Sequence, residues 1–176
     1  MTELNKIYQG DSLEVLKTLE NESVNSCITS PPYWGLRDYG VSGQIGLEPD
    51  YREFIEKLCR IFDEIKRVLK KEGTCFVNLG DSYAGTREMG TSGNGTGSTT
   101  LAGPEATYKN DRGNGSNKLS NGLLKEKSLA QIPSRFAIAM TGRGWILRNT
   151  IIWHKKNAMP SSVLDRFTNK YEQVFF

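Results

Sequence analysis

The sequence predicts an α/β domain built around parallel strands. Two short apolar stretches, VNSCIT at 24–29 and TCFVNL at 74–79, have the composition of buried strands. Between them, residues 50–71 place apolar side chains at helical spacing, which predicts one long amphipathic helix. A strand, a helix and a second strand with short connections form the unit from which parallel sheets are made.

The helix boundaries follow from local capping signals. Asp11 and Glu14 form a capping box that opens a short first helix. Asp50 is the expected N-cap of the long helix, with Glu53 as its capping-box partner. Gly73 is expected to end that helix, because glycine adopts the left-handed backbone of a C-cap without strain.

The second half of the chain predicts one helix and two strands. Ser128 and Gln131 are the expected caps of a helix that tolerates Pro133 in its first turn and ends at the glycines of 142–144. The apolar stretches 145–154 and 171–176 predict strands. The intervening residues 85–127 are rich in Gly, Ser, Thr and Asn. We expect them to be a flexible, disordered insertion in a single domain spanning 1–176, either solvated or ordered by DNA.

Composition excludes several classes of protein. A chain of 176 residues suits one domain, and it contains no apolar stretch long enough to span a membrane. The N-terminus lacks the apolar core of a signal peptide, so we expect a cytoplasmic protein. The three cysteines are widely spaced, which argues against a disulfide framework and against a zinc site. A net charge of +3 permits nucleic-acid binding without demonstrating it.

The first strand runs into a rigid, aromatic-flanked turn, TSPPYWGLRDYG, at 29–40. Pro31 and Pro32 fix their φ angles and remove two backbone N–H donors, so the backbone from Ser30 to Tyr33 is stiff. At the carboxyl end of a parallel strand, such a turn lies where open α/β sheets bind ligands. The Ser30 hydroxyl and the Pro31 carbonyl beside the Tyr33 ring suit a planar base with an exocyclic amine. Ser-Pro-Pro alone is common in loops, and the flanking strand and aromatics are what indicate a site.

This turn resembles catalytic motif IV of DNA methyltransferases that methylate exocyclic amines, the N4-cytosine/N6-adenine family, in its β-type motif order. The resemblance covers the chain apart from 85–127 and extends to further segments in family order. These are IYQGDSLEVLKTL, CFVNLGDSYAG, IPSRFAIAM, LRNTIIWHKKNAMPSS and DRFTNKYEQVFF. It implies a Rossmann-like methyltransferase fold that uses S-adenosylmethionine and no metal.

The resemblance also implies roles for individual residues. The implied residues are Ser30, Pro31, Pro32 and Tyr33 for catalysis, Asp11 and Ser30 for the cofactor, and Trp34, Arg37 and Tyr39 for the substrate DNA. Asp11 is also a good N-cap, and both of its roles can hold at once. For the residues implied in DNA contact, packing within their own loop is the alternative.

The implied reaction is direct methyl transfer to an amine. The target base is flipped out of double-stranded DNA, and Ser30 and the Pro31 carbonyl hold its amine, so catalysis consists mostly of positioning and electrostatics. A Ser at the first motif position favours N4 of cytosine over N6 of adenine, which stays the alternative. No Pro-Cys dipeptide occurs, which argues against methylation at C5 of cytosine.

One family motif, Asp-Pro-Phe-x-Gly-x-Gly, is absent from the sequence. In β-type order it follows the last matched segment, so we expect an N-terminal catalytic portion whose fold is incomplete at the C-terminus. One alternative is an incomplete fragment that binds DNA or a complementary half. Another is an unrelated α/β enzyme acting on RNA or on a small amino-bearing substrate. A cognate restriction endonuclease and a homodimer are the further partners considered, with no membrane partner.

Overall fold

The computed structural model describes residues 5–84, 123–158 and 165–176. Most of the predicted 85–127 insertion therefore lies outside the described residues, and the single-domain assignment stays a prediction. Of the helices in these ranges, none combines the length and the apolar character that crossing a membrane requires. The elements are α1 (Ser12–Lys17), β1 (Val24–Thr29), α2 (Tyr51–Val68), β2 (Leu69–Leu79), α3 (Ile132–Gly142), β3 (Thr150–His154) and β4 (Tyr171–Phe175).

The strands form one four-stranded sheet in the order β1-β2-β4-β3. β1 and β2 are parallel, as their connection through α2 predicts. This pairing confirms the parallel orientation predicted for the unit of strand, helix and strand. β4 runs antiparallel to both β2 and β3, an orientation for which the sequence provided no prediction.

α2 begins where the capping signal predicts and ends earlier than expected. The Asp50 side chain accepts a hydrogen bond from the Arg52 backbone N–H at 2.8 Å. Glu53 does not complete a capping box in this structure; its carboxylate pairs with Lys57 at 3.2 Å. The helix ends at Val68, and β2 follows at once.

Gly73 serves a bulge in β2 rather than a helix cap, which corrects the expected helix end. Val24 of β1 pairs with Leu69, and Ser26 pairs with Thr74, so β2 contains extra residues between the two pairs. A Cβ atom on Gly73 would lie 2.8 Å from the Lys70 carbonyl oxygen. Only glycine fits this close approach of the backbone to itself.

α3 begins at Ile132, but neither predicted residue caps it with a side chain. Gln131 adopts a left-handed backbone with φ 58° and makes no side-chain cap. The Ser128 carbonyl instead accepts from the Ala84 backbone N–H at 2.8 Å. The predicted strand at 145–154 is shorter than expected and comprises only β3, because the Trp145 N–H returns to the Met140 carbonyl of α3.

The two faces of the sheet have different surroundings. Val77 and Phe175 share the face that packs against α2 and α3, where the Phe62 and Phe136 rings meet edge to face at 5.1 Å. The opposite face carries Asn78 and Glu172. Its side chains Ile28 and Trp153 are 80% and 59% exposed. The polar residues that matter below therefore project from the open face.

Candidate active site

The Ser-Pro-Pro turn follows β1 directly, at the carboxyl end of the parallel pair β1–β2. Ser30 is exposed, whereas Pro31 is half-buried. Among the described residues, no hydrogen bond ends on the Pro31 carbonyl oxygen. The structure therefore places a hydroxyl and an uncommitted carbonyl side by side in sequence at the edge where α/β sheets bind ligands.

A hydrogen-bond network holds the hydroxyl of Tyr33. This hydroxyl donates to Oε2 of Glu172 on β4 at 2.9 Å. Asn78 Nδ2, on β2, donates to the Tyr33 oxygen at 3.0 Å and to the same Glu172 oxygen at 2.8 Å. Ser30 Oγ lies 3.4 Å from the Tyr33 oxygen and donates to it. The turn is thus tied to two strands that lie far from it in the sequence.

The Tyr33 ring also rests on Gly80, the residue after β2. A Cβ atom at Gly80 would lie 2.5 Å from Cε2 and 2.6 Å from Cδ2 of Tyr33, closer than any real Cβ contact. The absence of a side chain at Gly80 is therefore what lets the ring pack against the sheet edge. Gly80 and the hydroxyl network together determine the orientation of the ring.

Glu172 is the charged centre of the network, with a side chain only 17% exposed. Burial by itself raises the pKa of Glu172, but hydrogen bonds from Lys155, Asn78 and Tyr33 outweigh it, so its pKa lies below the ordinary value. The pKa of Tyr33 is raised, first by burial and then by the carboxylate beside it, while the Ser30 hydrogen bond opposes the rise. Near neutral pH the site holds a carboxylate facing a neutral phenol.

Trp34 is buried, with 1% of its surface exposed. Its Nε1 donates to the Glu48 carbonyl at 2.8 Å, which closes the loop after the turn. The Glu48 carboxylate accepts from the Gly46 N–H at 2.8 Å and pairs with Lys57 at 3.1 Å. The packing alternative, rather than a DNA contact, is the role that this geometry supports for Trp34.

Arg37 and Tyr39 lie on the exposed part of the same loop. The Gln44 side chain braces this part, because its Oε1 accepts from the Tyr39 N–H at 2.6 Å and its Nε2 donates to the Arg37 carbonyl at 2.9 Å. Tyr39 is 59% exposed. Both side chains are presented to solvent from an ordered backbone, and their DNA contact stays a prediction.

Asp11 lies at the N-terminus of α1, away in sequence from the turn. Its Oδ1 accepts from the N–H groups of Leu13 at 2.9 Å and Glu14 at 3.1 Å, which confirms its role as N-cap. A shallow cavity of about 470 Å³ opens beside it, lined by residues 6–11 and by α1. Among the described residues no hydrogen bond joins Asp11 to Ser30, and cofactor binding by either residue stays a prediction.

Asp81, just beyond β2, caps α3 from outside that helix. Its Oδ1 accepts from the Ile132 N–H at 3.0 Å and from the Ser82 N–H at 2.9 Å. Burial raises the Asp81 pKa, and the backbone donors and Arg135 only partly oppose that rise. No group of acidic, histidine or cysteine side chains in the described ranges could hold a metal ion.

Sequence reasoning missed four residues of this site: Asn78, Gly80, Lys155 and Glu172. The available signals were a polar residue inside the apolar stretch TCFVNL and an acid inside YEQVFF. A carboxylate in an apolar strand needs partners, and those partners here come from β2 and from the turn. Neither stretch by itself indicates which residues are the partners of this carboxylate.

The sequence is similar to curated bacterial methyltransferases. A family model described as DNA methylase, N6_N4_Mtase, matches residues 24–176. Type II methyltransferase M.Cfr9I of Citrobacter freundii is 44% identical over 172 residues, which are 96% of this chain and 52% of that protein. M.SfiI of Streptomyces fimbriatus is 39% identical over 170 residues, 96% of this chain and 34% of that protein. The chain thus spans about half the length, or less, of these relatives.

Solved structures share the fold. TTHA0409 of Thermus thermophilus, described as a putative DNA modification methylase and complexed with S-adenosyl-L-methionine, matches with a TM-score of 0.57 at 22% identity over 94% of this chain and 49% of that one. The cytosine-N4-specific PvuII DNA methyltransferase matches with a TM-score of 0.58 at 17% identity, and the match covers 96% of this chain and 46% of that one. At these identities the likeness concerns the fold, and it confirms the predicted Rossmann-like methyltransferase architecture.

Proposed function

The chain belongs to the N6/N4 DNA methylase family, and from that premise we propose that it transfers a methyl group from S-adenosylmethionine to an exocyclic amine of a base in DNA. The observation that carries the proposal is a pair of acceptors beside an aromatic ring held by Glu172 and Asn78. The acceptors are Ser30 Oγ and the Pro31 carbonyl, to which no other described residue donates a hydrogen bond. A primary amine on a planar ring is the group that such a pair fits.

In the proposed mechanism, the target base leaves the duplex, since its amine cannot otherwise reach the turn. Ser30 Oγ and the Pro31 carbonyl accept the two N–H bonds, and the Tyr33 ring stacks on the base. These contacts aim the nitrogen lone pair, which forms the new N–C bond as the donor's S–C bond breaks, and the nitrogen then loses a proton to solvent. The chain's own contribution is positioning in a fixed geometry.

Residues near α1 are the proposed part of the cofactor site. The cavity of about 470 Å³ beside Asp11 is lined by residues 6–11, which include Tyr8, and by residues of α1. An acidic group next to an aromatic ring fits the hydroxyl or amino groups and the purine of an adenosyl compound. S-adenosylmethionine, when bound, supplies a methyl group activated on a sulfonium.

We place N4 of cytosine ahead of N6 of adenine as the methylated atom, because the first position of the turn is Ser30. The N6-adenine reaction is the second candidate, since a hydroxyl accepts from either amine. Methylated DNA is digested to nucleosides, and the modified one is identified by mass and retention. N4-methyl-2′-deoxycytidine is expected, and N6-methyl-2′-deoxyadenosine alone would overturn the assignment.

The proposed substrate is double-stranded DNA, with Arg37 and Tyr39 as candidate contacts from the exposed loop. The named relatives are type II methyltransferases, which supports a cognate restriction endonuclease as functional partner. The reaction would take place in the cytoplasm of a prokaryotic host, where the DNA lies. A homodimer stays a prediction.

The test is incorporation of labelled methyl groups into duplex DNA by the protein in the full length that its gene encodes. Ser30→Ala is expected to lower turnover by about one to three orders of magnitude, the scale of losing one oriented donor or acceptor. Ser26→Ala is the matched control and is expected to stay near wild type, because Ser26 is exposed on β1 and its hydroxyl bonds to Thr74 on the neighbouring strand. No incorporation by the wild-type protein would overturn the proposed function.

A further inference from the structure

The hydrogen bonds around Tyr33 have a defined direction. A carboxylate only accepts hydrogen bonds, so the single proton of the Tyr33 hydroxyl points to Glu172. Asn78 also donates to the Tyr33 oxygen, and so that oxygen acts as an acceptor toward its other neighbours. Ser30 is the remaining hydrogen-bonding neighbour of this oxygen among the described residues, and its hydroxyl proton points to Tyr33. The lone pairs of Ser30 are then left facing away from Tyr33.

We propose that Glu172 is a positioning residue for methyl transfer, acting through Tyr33 to keep the Ser30 hydroxyl an acceptor for the amine. This inference rests on the proposed function. Glu172 and the Tyr33 hydroxyl thereby have a role in catalysis. Stacking of the Tyr33 ring on the base would require neither of them. The Ser30–Tyr33 distance of 3.4 Å is long for an O–H···O bond. Catalytic hydrogen bonds are often long in structures without substrate and shorten in the substrate complex.

The surroundings keep Glu172 in the acceptor-only form that this task needs. Its Oε1 is paired with the Lys155 ammonium, and its Oε2 accepts from Tyr33 and Asn78. These donors make the ionised form the stable one despite partial burial. The orientation of the Asn78 amide is also determined, because its oxygen turned toward Glu172 would face a negative charge.

Glu172→Gln preserves the shape of the side chain and replaces one acceptor oxygen of the carboxylate by an NH2 donor. A glutamine amide can donate to the Tyr33 oxygen, which leaves the Tyr33 proton free to point at Ser30. Ser30 would then accept from Tyr33 and present its own proton to the amine, which offers a proton itself. The two donors conflict, and the amine loses one of its acceptors.

The experiment is a double-mutant cycle with Glu172→Gln and Tyr33→Phe, using the full-length gene product, duplex DNA and S-adenosylmethionine. Single-turnover methyl transfer and DNA affinity are measured for the wild type, both single variants and the double variant. Glu172→Gln is expected to slow transfer roughly tenfold or more, with DNA affinity within about twofold of wild type. In the Tyr33→Phe background the same change is expected to have almost no effect.

Equal effects of Glu172→Gln in both backgrounds would overturn the inference, because a merely structural role does not depend on the Tyr33 hydroxyl. A loss confined to DNA affinity would also overturn the inference.

If Glu172→Gln fails to fold, a cycle of Tyr33→Phe with Ser30→Ala replaces the first cycle. Tyr33→Phe should then have no further effect once the Ser30 hydroxyl is gone, and additivity would overturn the inference. An inactive wild type overturns the proposed function itself, and this inference with it, whereas an active wild type with additive effects overturns the inference alone.

Discussion

The Tyr33 hydroxyl donates a hydrogen bond of 2.9 Å to Glu172, a residue that lies 139 positions later in the sequence. The bond joins the turn after β1 to β4, which lies on the far side of β2 in the sheet. The proposed base-binding turn therefore reaches its observed geometry only when β4 has paired with β2.

The Glu172 carboxylate should make stability depend on pH in a known direction. Its pKa in the folded protein lies below the ordinary value of 4.5, so ionised Glu172 stabilises the fold above that value, and the contribution is lost as pH falls through the folded pKa. Glu172→Gln is expected to be less stable than wild type at neutral pH, with a gap that narrows on acidification. Urea denaturation at several pH values between 3 and 7 (about one unit apart) measures the gap. A gap that widens toward low pH would contradict this account.

Gly80→Ala is expected to disturb the Tyr33 ring. The added Cβ would lie 2.5 Å from the ring, so the ring must shift, and a displacement of about 1 Å in a positioning group costs up to roughly a hundredfold in rate. Methyl transfer should fall by about tenfold to a hundredfold. Gly142→Ala is the matched control, because a Cβ there meets nothing within 4 Å. Equal rates for the two variants would show that Gly80 does not position the ring.

Asp81→Ala is expected to weaken the start of α3. The variant leaves the Ile132 and Ser82 N–H groups without their carboxylate acceptor, a loss of about 1 kcal/mol or more in the free energy of unfolding. Asp81→Asn should cost less, since the amide oxygen still accepts and burial already disfavours the charge. Chemical denaturation of both variants tests this order. The reverse order would indicate that the charge, not the acceptor, matters.

The cysteines should differ in reactivity. Burial, only partly opposed by Arg143, raises the pKa of Cys59 to about 11. The Cys27 pKa is lowered because the Cys75 thiol donates a hydrogen bond to it across the β1–β2 pair, and the pKa of Cys75 is raised in turn. With iodoacetamide near pH 8, about the unperturbed cysteine pKa, Cys27 is expected to react first. Mass spectrometry of timed digests measures this, with unfolded protein as the control, and faster labelling of Cys59 would contradict it.

Residues 1–176 alone are expected to bind S-adenosylmethionine weakly. The sequence lacks the Asp-Pro-Phe-x-Gly-x-Gly motif of the family, and the cavity beside Asp11 is shallow and open. Titration with labelled S-adenosylmethionine, with and without a complementary C-terminal half, separates the alternatives. Tight binding by residues 1–176 alone would overturn the fragment hypothesis, whereas binding restored by the second half would support it.

Features that depend on neighbouring residues could be predicted from the sequence alone. The Asp50 and Asp11 caps and the stiffness from Ser30 to Tyr33 act within a few residues, so they are readable locally. The order of the matched segments was sufficient to predict the family and its fold.

Contacts between residues far apart in the sequence are visible only in the folded structure. The insertion of β4 between β2 and β3 brings Glu172 to Tyr33, and the bulge in β2 requires Gly73, which looks like a helix cap in the sequence. Of the two roles that the sequence left open for Trp34, DNA contact and packing, its burial in the core beneath its loop supports packing. The physical reason is that sheet order and register set these contacts, and the free energy that selects them comes from burial and polar pairing between segments far apart in the chain.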